Sequence, residues 1–342
     1  MRVLFLNQAR GLSADMVSDY QADMVFHGLS VLDGVECIES SPMWHMRKSE
    51  KERDPELFKH IWGKAFTMYG LLPDVDLQAP VPDVTTADKV IVPIHHTLAQ
   101  RPEEIIRHLM YVKEAIPKAK ICIIDGWDRV DLYPALIQYC RDNGHKYFKR
   151  ECIFTDETVK PISFAFPQEK IPDLNWIKSR SHDIAPLIPV NQSIDPSYMS
   201  TYIYDNEEDY YAMYQNSKFA LTSKKGGWDT LRHYEIMANG TIPIFVDIEN
   251  CPKHTLWNFP KDLCKEANFL SGLIVNLTNG QNWYSGMVLP HCGVVNKDNP
   301  GHWRGHAGSY NSLLVKFQDY FKENLLTKHL ATYVLETMDE NH

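Results

Sequence analysis

"LTSKKGGWDTLRHYEIMANGTIPIFVD", residues 221–247, decides the fold. FALTS (219–223) and TIPIFVD (241–247) are continuous apolar runs of strand length, and the residues between them carry helical spacing. A strand, a helix and a strand this closely joined predict a βαβ unit with parallel strands. Asp229 or Thr230 is the expected N-cap of the helix and Gly240 its expected stop.

The junction of strand and helix carries chemistry. Gly226 and Gly227 allow the backbone to approach a ligand closely. A helix N-terminus offers free N–H groups and a partial positive charge, and Lys224 and Lys225 add two full charges there. That combination suits an anion, and a diphosphate fits it. Neither G-x-x-x-x-G-K-[ST] nor G-x-G-x-x-G occurs. On the helix, Arg232 and Glu235 lie about 60° apart, beside the apolar stripe of Leu231, Tyr234 and Ala238. The arginine suits a phosphate and the carboxylate suits two vicinal ribose hydroxyls. The competing reading is an i,i+3 ion pair with two solvated lysines.

Working outward, the same alternation covers the chain. VLFLN (3–7), KVIVPI (89–94), KICIIDG (120–126) and HKYFKRE (145–151) read as strands. Helices are expected at 18–32, 102–115 and 131–142, the last stopping at Asn143-Gly144. Prolines crowd 161–196 and mark a junction. Beyond it come a strand near 201–205, the helix EEDYYAMYQNS, the unit already described, the strand GLIVNL (272–277) and one helix over 312–338. Continuous apolar strands separated by helices predict parallel sheets covered on both faces. The expected organisation is α/β with two Rossmann-like domains, 1–180 and 181–320, and a terminal helix, 321–342, packing back on the first. Ligands of such sheets bind outside the carboxyl ends of the strands, here expected to face one another across a cleft.

Composition narrows the function. The 342 residues are 44% hydrophobic and 23% charged, with a net charge of −9, which argues against a general nucleic-acid binder. The seven scattered cysteines form no C-x-x-C pair and predict reduced thiols in a cytosol-like compartment, of host or microbe. The first residues, MRVLFLNQAR, lack the features of a secretory signal, and no stretch approaches a membrane span. The sequons at Asn191, Asn239 and Asn276 therefore carry no expectation of glycans.

R-x-x-E followed by A-N-G-x-I-P-I-F, carried by Arg232, Glu235, Gly240, Ile242 and Pro243, resembles the donor-site element of GT-B glycosyltransferases, most closely the exostosin-like group. SDYQADMVFHGL (18–29) and DIENCPKHTLWNFPKDL (247–263) are similar to parts of related microbial and viral sugar transferases. SKKGGW stands where animal exostosins carry a cysteine-bearing loop. The resemblance implies a GT-B fold and transfer of a sugar from a nucleotide-diphosphate donor to a carbohydrate or other hydroxyl acceptor. It places Glu235 on the donor ribose and Arg232 on the diphosphate, with no obligatory metal and no further cofactor, and it favours inversion at the sugar.

An inverting transferase needs a base for the acceptor hydroxyl. His95 and His96 end one expected strand, and Asp125 and Asp128 end another, so these four are base candidates; turn chemistry is the alternative for each. Asp19, Asp23 and His27, spaced i, i+4, i+8, share a helix face and are acceptor-side candidates, with a metal or a solvated face as alternatives. HWRGH (302–306) lacks the glutamate of a zinc helix, and Cys251 and His254 lack a second ligand pair. Trp228 could stack on a base or sugar or simply pack, and the tyrosines at 210, 211 and 214 read as helix core and rim. The rivals are another sugar-phosphate enzyme (an epimerase or phosphorylase) and a non-catalytic nucleotide-sugar or glycan-binding module. The oligomeric state is not readable from the sequence.

Overall fold

The computed structural model describes residues 1–7, 19–53, 56, 64, 66–76, 78, 80, 82–94, 101–174, 180–185, 204–271, 274–275, 287–289, 293–294 and 307–340. The chain divides into two compact units, Met1–Gln168 with Pro252–Asn258 and Leu326–His342, and Glu169–Cys251 with Phe259–Leu325. Unit 1 thus takes back the last helix. The change of unit falls at Gln168/Glu169, upstream of the expected 180/181 division.

Unit 1 is built on β1 (Arg2–Phe5), α1 (Tyr20–Val31), β2 (Glu36–Glu39), β3 (Lys89–Ile94), α2 (Pro102–Ala115), β4 (Lys120–Asp125), α3 (Pro134–Asp142), β5 (Lys146–Lys149) and β6 (Val159–Pro161). The six strands form one sheet in the order β2-β1-β3-β4-β5-β6, every neighbouring pair parallel. Alternate strand residues point to opposite faces. On one face Leu4, Val90, Val92, Ile121 and Ile123 pack with Ile105, Leu109 and Val112 of α2 and Leu136 and Cys140 of α3. On the other, the Phe5 and Phe26 rings meet at 5.2 Å. Each such fully buried large apolar side chain contributes about 1.5–3 kcal/mol. Chain order reverses beside β1: β2 lies on one side of it and β3 on the other, which makes the β1/β3 crevice the sheet's switch point.

Unit 2 holds β7 (His182–Ile184), α4 (Glu207–Gln215), β8 (Ser217–Thr222), α5 (Leu231–Ala238), β9 (Ile242–Phe245) and α6 (Lys261–Ser271). Strands β7, β8 and β9 make a second parallel sheet in that order. A small antiparallel ribbon follows, of Ile274–Val275, Met287–Leu289 and Gly293–Val294. The single helix expected over 312–338 is two, α7 (Ala307–Asn324) and α8 (Thr327–Asp339), parted at Leu325 and Leu326. The break is where the chain leaves unit 2: Leu326 bridges to Phe166, and the Thr327 N–H donates to the Phe166 carbonyl at 3.0 Å. The strand expected near 201–205 is absent at 204 and 205, and 201–203 lie outside the described residues; β7, earlier in the chain, pairs with β8 instead.

In unit 1, α8 packs along α1. Gly28 makes this possible, because a Cβ there would collide with the Thr327 carbonyl and the Ala331 methyl. Among the described residues, no helix is long and apolar enough to cross a membrane.

Candidate functional site

Strand β8 ends at Thr222 and the chain turns through Ser223–Thr230 before α5 begins. The turn closes on itself, the Lys225 N–H donating to the Gly227 carbonyl at 2.9 Å. Thr230 is the N-cap by backbone, extended at φ −133°, and its side chain makes no cap bond. Gly240 follows the helix at φ +70°, the left-handed conformation that a glycine stop permits.

His233 fastens this turn. Its Nδ1 lies 2.7 Å from the Thr222 hydroxyl and its Nε2 2.8 Å from the Trp228 carbonyl. A carbonyl only accepts, so Nε2 carries the proton and Nδ1 accepts from Thr222. Full burial pushes the imidazole pKa down to about 3, so it stays neutral. The Trp228 ring stacks on Phe245 at 6.2 Å, and the exposed Lys224 ammonium sits 4.9 Å above Trp228. Lys225 and Gly226 are exposed and Gly227 is buried.

Arg232 and Glu235 are both buried, at 8% and 6% exposure. Glu235 Oε2 accepts from the Tyr210 hydroxyl at 2.6 Å. Burial first, and then the Glu235 charge, raise the Tyr210 pKa well above its usual value, so the phenol stays a donor. The Arg232 side chain forms no ion pair with Glu235. Its Nη1 is buried and has no hydrogen-bond partner among the described residues. The i,i+3 ion pair that the sequence allows is therefore not made. A buried guanidinium nitrogen without a hydrogen-bond partner is costly to keep, and an anion would relieve it.

The remaining predicted residues lie in unit 1 and separate into different tasks. Asp125 is fully buried at the end of β4, where Trp127 N–H, the Tyr147 hydroxyl at 2.5 Å and the Lys149 ammonium at 3.0 Å all donate to it. Three donors from unit 1 engage it, and it is fully buried rather than open to an acceptor hydroxyl. Asp128 is half exposed and pairs with the buried Arg150 guanidinium. His95 and His96 lie outside the described residues, as do the histidines of HWRGH.

The trio on α1 does not act as one face. Asp19 is the N-cap, accepting from Gln21 and Ala22 N–H. His27 is buried and meets the Thr327 hydroxyl through Nδ1 at 2.8 Å. Asp23 is fully buried, and Oδ1 accepts from His45 Nε2 at 2.9 Å. The solvated-face alternative fails for Asp23 and His27.

Three residues that hold these side chains in place escaped the sequence reading. Tyr210 carried a signal, since it stands on the buried side of a short helix beside the RxxE element. His233 lies inside the quoted motif but is masked there by its more charged neighbours. His45 had no signal: it stands 22 residues from Asp23, in a segment without periodicity. Compared with family models, with curated proteins and with solved structures, the chain matches none of them.

Proposed function

We infer that this chain is a glycosyltransferase of the GT-B type, moving a sugar from a nucleotide-diphosphate donor to a hydroxyl acceptor. The observation that carries the reading is Arg232: a buried guanidinium with an unpartnered Nη1, in the first turn of a helix that opens behind two exposed lysines. Cation, helix terminus and lysines all favour an anion, and they would stabilise the charge that grows on a departing diphosphate. Glu235 would accept from the donor ribose, with Tyr210 holding the carboxylate in place. Protein cations carry the charge in this reading, so activity should survive excess EDTA. Cys122, Cys140 and Cys264 are buried as thiols, which suits the reducing compartment in which we place the reaction.

A thermal-shift series with UDP, GDP, ADP, CMP and their sugars tests the reading. A ligand at a hundred times its Kd stabilises the native state by about 2.7 kcal/mol. One nucleotide family should raise Tm in the native chain and fail to do so in Arg232→Met. If none raises Tm, or Arg232→Met responds like the native chain, the donor site is misassigned.

A further inference from the structure

Helices α7 and α8 are parted by two residues, Leu325 and Leu326. Nothing in the local sequence demands the break. FKENLLTKHLA (321–331) holds no glycine, no proline and one β-branched residue, so a helix through it is unopposed. Leu326 is instead extended, at φ −87° and ψ 151°, and its N–H makes no hydrogen bond among the described residues. In a continuous helix that N–H would donate to the Lys322 carbonyl.

The apolar residues on either side of the break serve different units. Leu313, Phe317, Phe321 and Leu325 recur at every fourth position and are buried, all in unit 2. Leu326, Leu330, Val334 and Met338 repeat the pattern along α8 and are buried in unit 1. The second stripe begins one residue after the first ends, so each helix is complete without the other. Unit 1 grips α8 at several points. His27 meets Thr327, the Lys89 ammonium donates to the Leu335 carbonyl at 2.6 Å, and the Tyr333 hydroxyl donates to the Pro161 carbonyl at 2.9 Å. Asp339 pairs with Lys89 at 2.7 Å and with Lys120 at 2.8 Å. Gly28 leaves room for the α8 backbone itself. The surface over α1 is therefore shaped to this one helix, and the partner it fits is a second copy of the chain.

We propose that two copies of the chain exchange α8, each helix docking on α1 of the other copy while α7 and α8 run on as one helix through Leu325 and Leu326. Joined, they form a helix about 50 Å long. The exchange remakes the contacts of α8, because the same residues meet in both forms. The changes fall at the link. Leu326 gains a backbone hydrogen bond, and the Thr327 N–H trades the Phe166 carbonyl for that of Glu323. Exchange of an identical element is a low-cost route to a dimer for this reason. The barrier is the release of α8, so mild denaturant at high chain concentration is the condition that favours it. The exchange is independent of the transferase reading.

The test uses the full chain, unlabelled and ¹⁵N-labelled, mixed in equal amounts at high concentration in urea at the foot of the unfolding transition and then dialysed. Light scattering on size-exclusion fractions should find a dimer whose share rises with chain concentration during the urea step. A carbodiimide then joins carboxylates to the lysines that touch them, and peptide mass spectrometry reads the isotope of each half. In the dimer, Lys120–Asp339 links should join light to heavy peptides as often as like to like. Lys316–Glu266 links, within unit 2, should join only like to like. Lys328→Pro addresses the hinge. Lys328 is exposed in the first turn of α8, where a proline is tolerated, but in a continuous helix the ring would clash with the Asn324 carbonyl. That variant should lower the dimer share by about tenfold or more and keep the monomer's circular dichroism. No dimer, a dimer whose Lys120–Asp339 links join only like isotopes, or an unchanged dimer share in folded Lys328→Pro overturns the proposal. Should Lys328→Pro fail to fold, the isotope pattern of the native chain decides alone.

Discussion

The two units hold their buried charged side chains differently. In unit 1 the Asp23 carboxylate accepts from His45, and the Asp125 carboxylate from Trp127, Tyr147 and Lys149. In unit 2 Glu235 accepts from the Tyr210 hydroxyl, while Arg232 Nη1 is buried with no hydrogen-bond partner among the described residues. Such atoms are not confined to unit 2, Asp23 Oδ2 and Arg47 Nε of unit 1 being two more. What sets Arg232 apart is its place, in the first turn of a helix behind two exposed lysines, a setting that suits an anion.

The sharpest way to break this contrast is Arg232→Met. If the guanidinium serves an anion, nucleotide affinity should fall about 100-fold, in keeping with the roughly 1.5–3 kcal/mol of a hydrogen bond to a charged group. Stability should hold or rise, because a buried unpaired charge is removed. A lower urea midpoint would mean that Arg232 is a structural ion.

Gly28→Ala addresses the packing of α8 on α1 in unit 1. The added methyl meets the Thr327 carbonyl, and overpacking of this kind costs about 1–3 kcal/mol. Urea unfolding should show that loss. Nucleotide binding should persist if unit 2 keeps its donor site independently.

Acid separates the units by degree. The folded pKa of His233 is about 3, below the ordinary value of 6.5 that applies once the chain unfolds. Between those values the unfolded state binds a proton that the native state refuses. Its contribution is whole above pH 6.5 and declines as pH falls. At pH 5.5 the loss is about 1.4 kcal/mol. In unit 1, burial lowers His145 to about 4, which acts in the same direction over a shorter range. Urea midpoints followed by tryptophan fluorescence at pH 8 and 5.5 measure the slope, and His233→Gln should remove about half of it, since His145 contributes nearly as much at pH 5.5.

The smallest effect belongs to the exposed lysines. Lys224→Met with Lys225→Met should leave stability within about 0.5 kcal/mol, as surface changes do. If the charges act mainly in the transition state, kcat and kcat/KM should fall together by roughly two- to fivefold, the range of helix-terminus electrostatics. A rise in KM alone would make them ground-state donor contacts.

The long periodic segments were legible. β3 and α2 run at their expected residues, 89–94 and 102–115, because an unbroken apolar run and an N-terminal proline each admit one reading. The βαβ unit around α5 was equally plain. Short strands were not: ECIE and VKP, at β2 and β6, carry too few apolar residues to announce themselves and are held by their neighbours in the sheet. The candidate site divided along the same line. Arg232 and Glu235 share one helix, so their kinship is a matter of spacing. The Asp23–His45 pair is a product of tertiary packing, and no local pattern could join them. The surroundings of Asp125 were not legible, because a carboxylate at a strand end looks alike whether it faces solvent or, as here, a buried lysine.

The return of α8 to unit 1 has a consequence for the order of synthesis. His27 and Thr327 are 300 residues apart, and their contact cannot form until the ribosome has released the later one. At roughly 5–20 residues per second, α1 waits about 15–60 s for the helix that covers it. All of unit 2 emerges during that interval. A newly made chain therefore presents the side of α1 that α8 covers, with His27 and Gly28, to the surrounding cell for most of its production. Chaperone capture during translation should be strongest there, and a stall before residue 327 should leave unit 2 complete and unit 1 open.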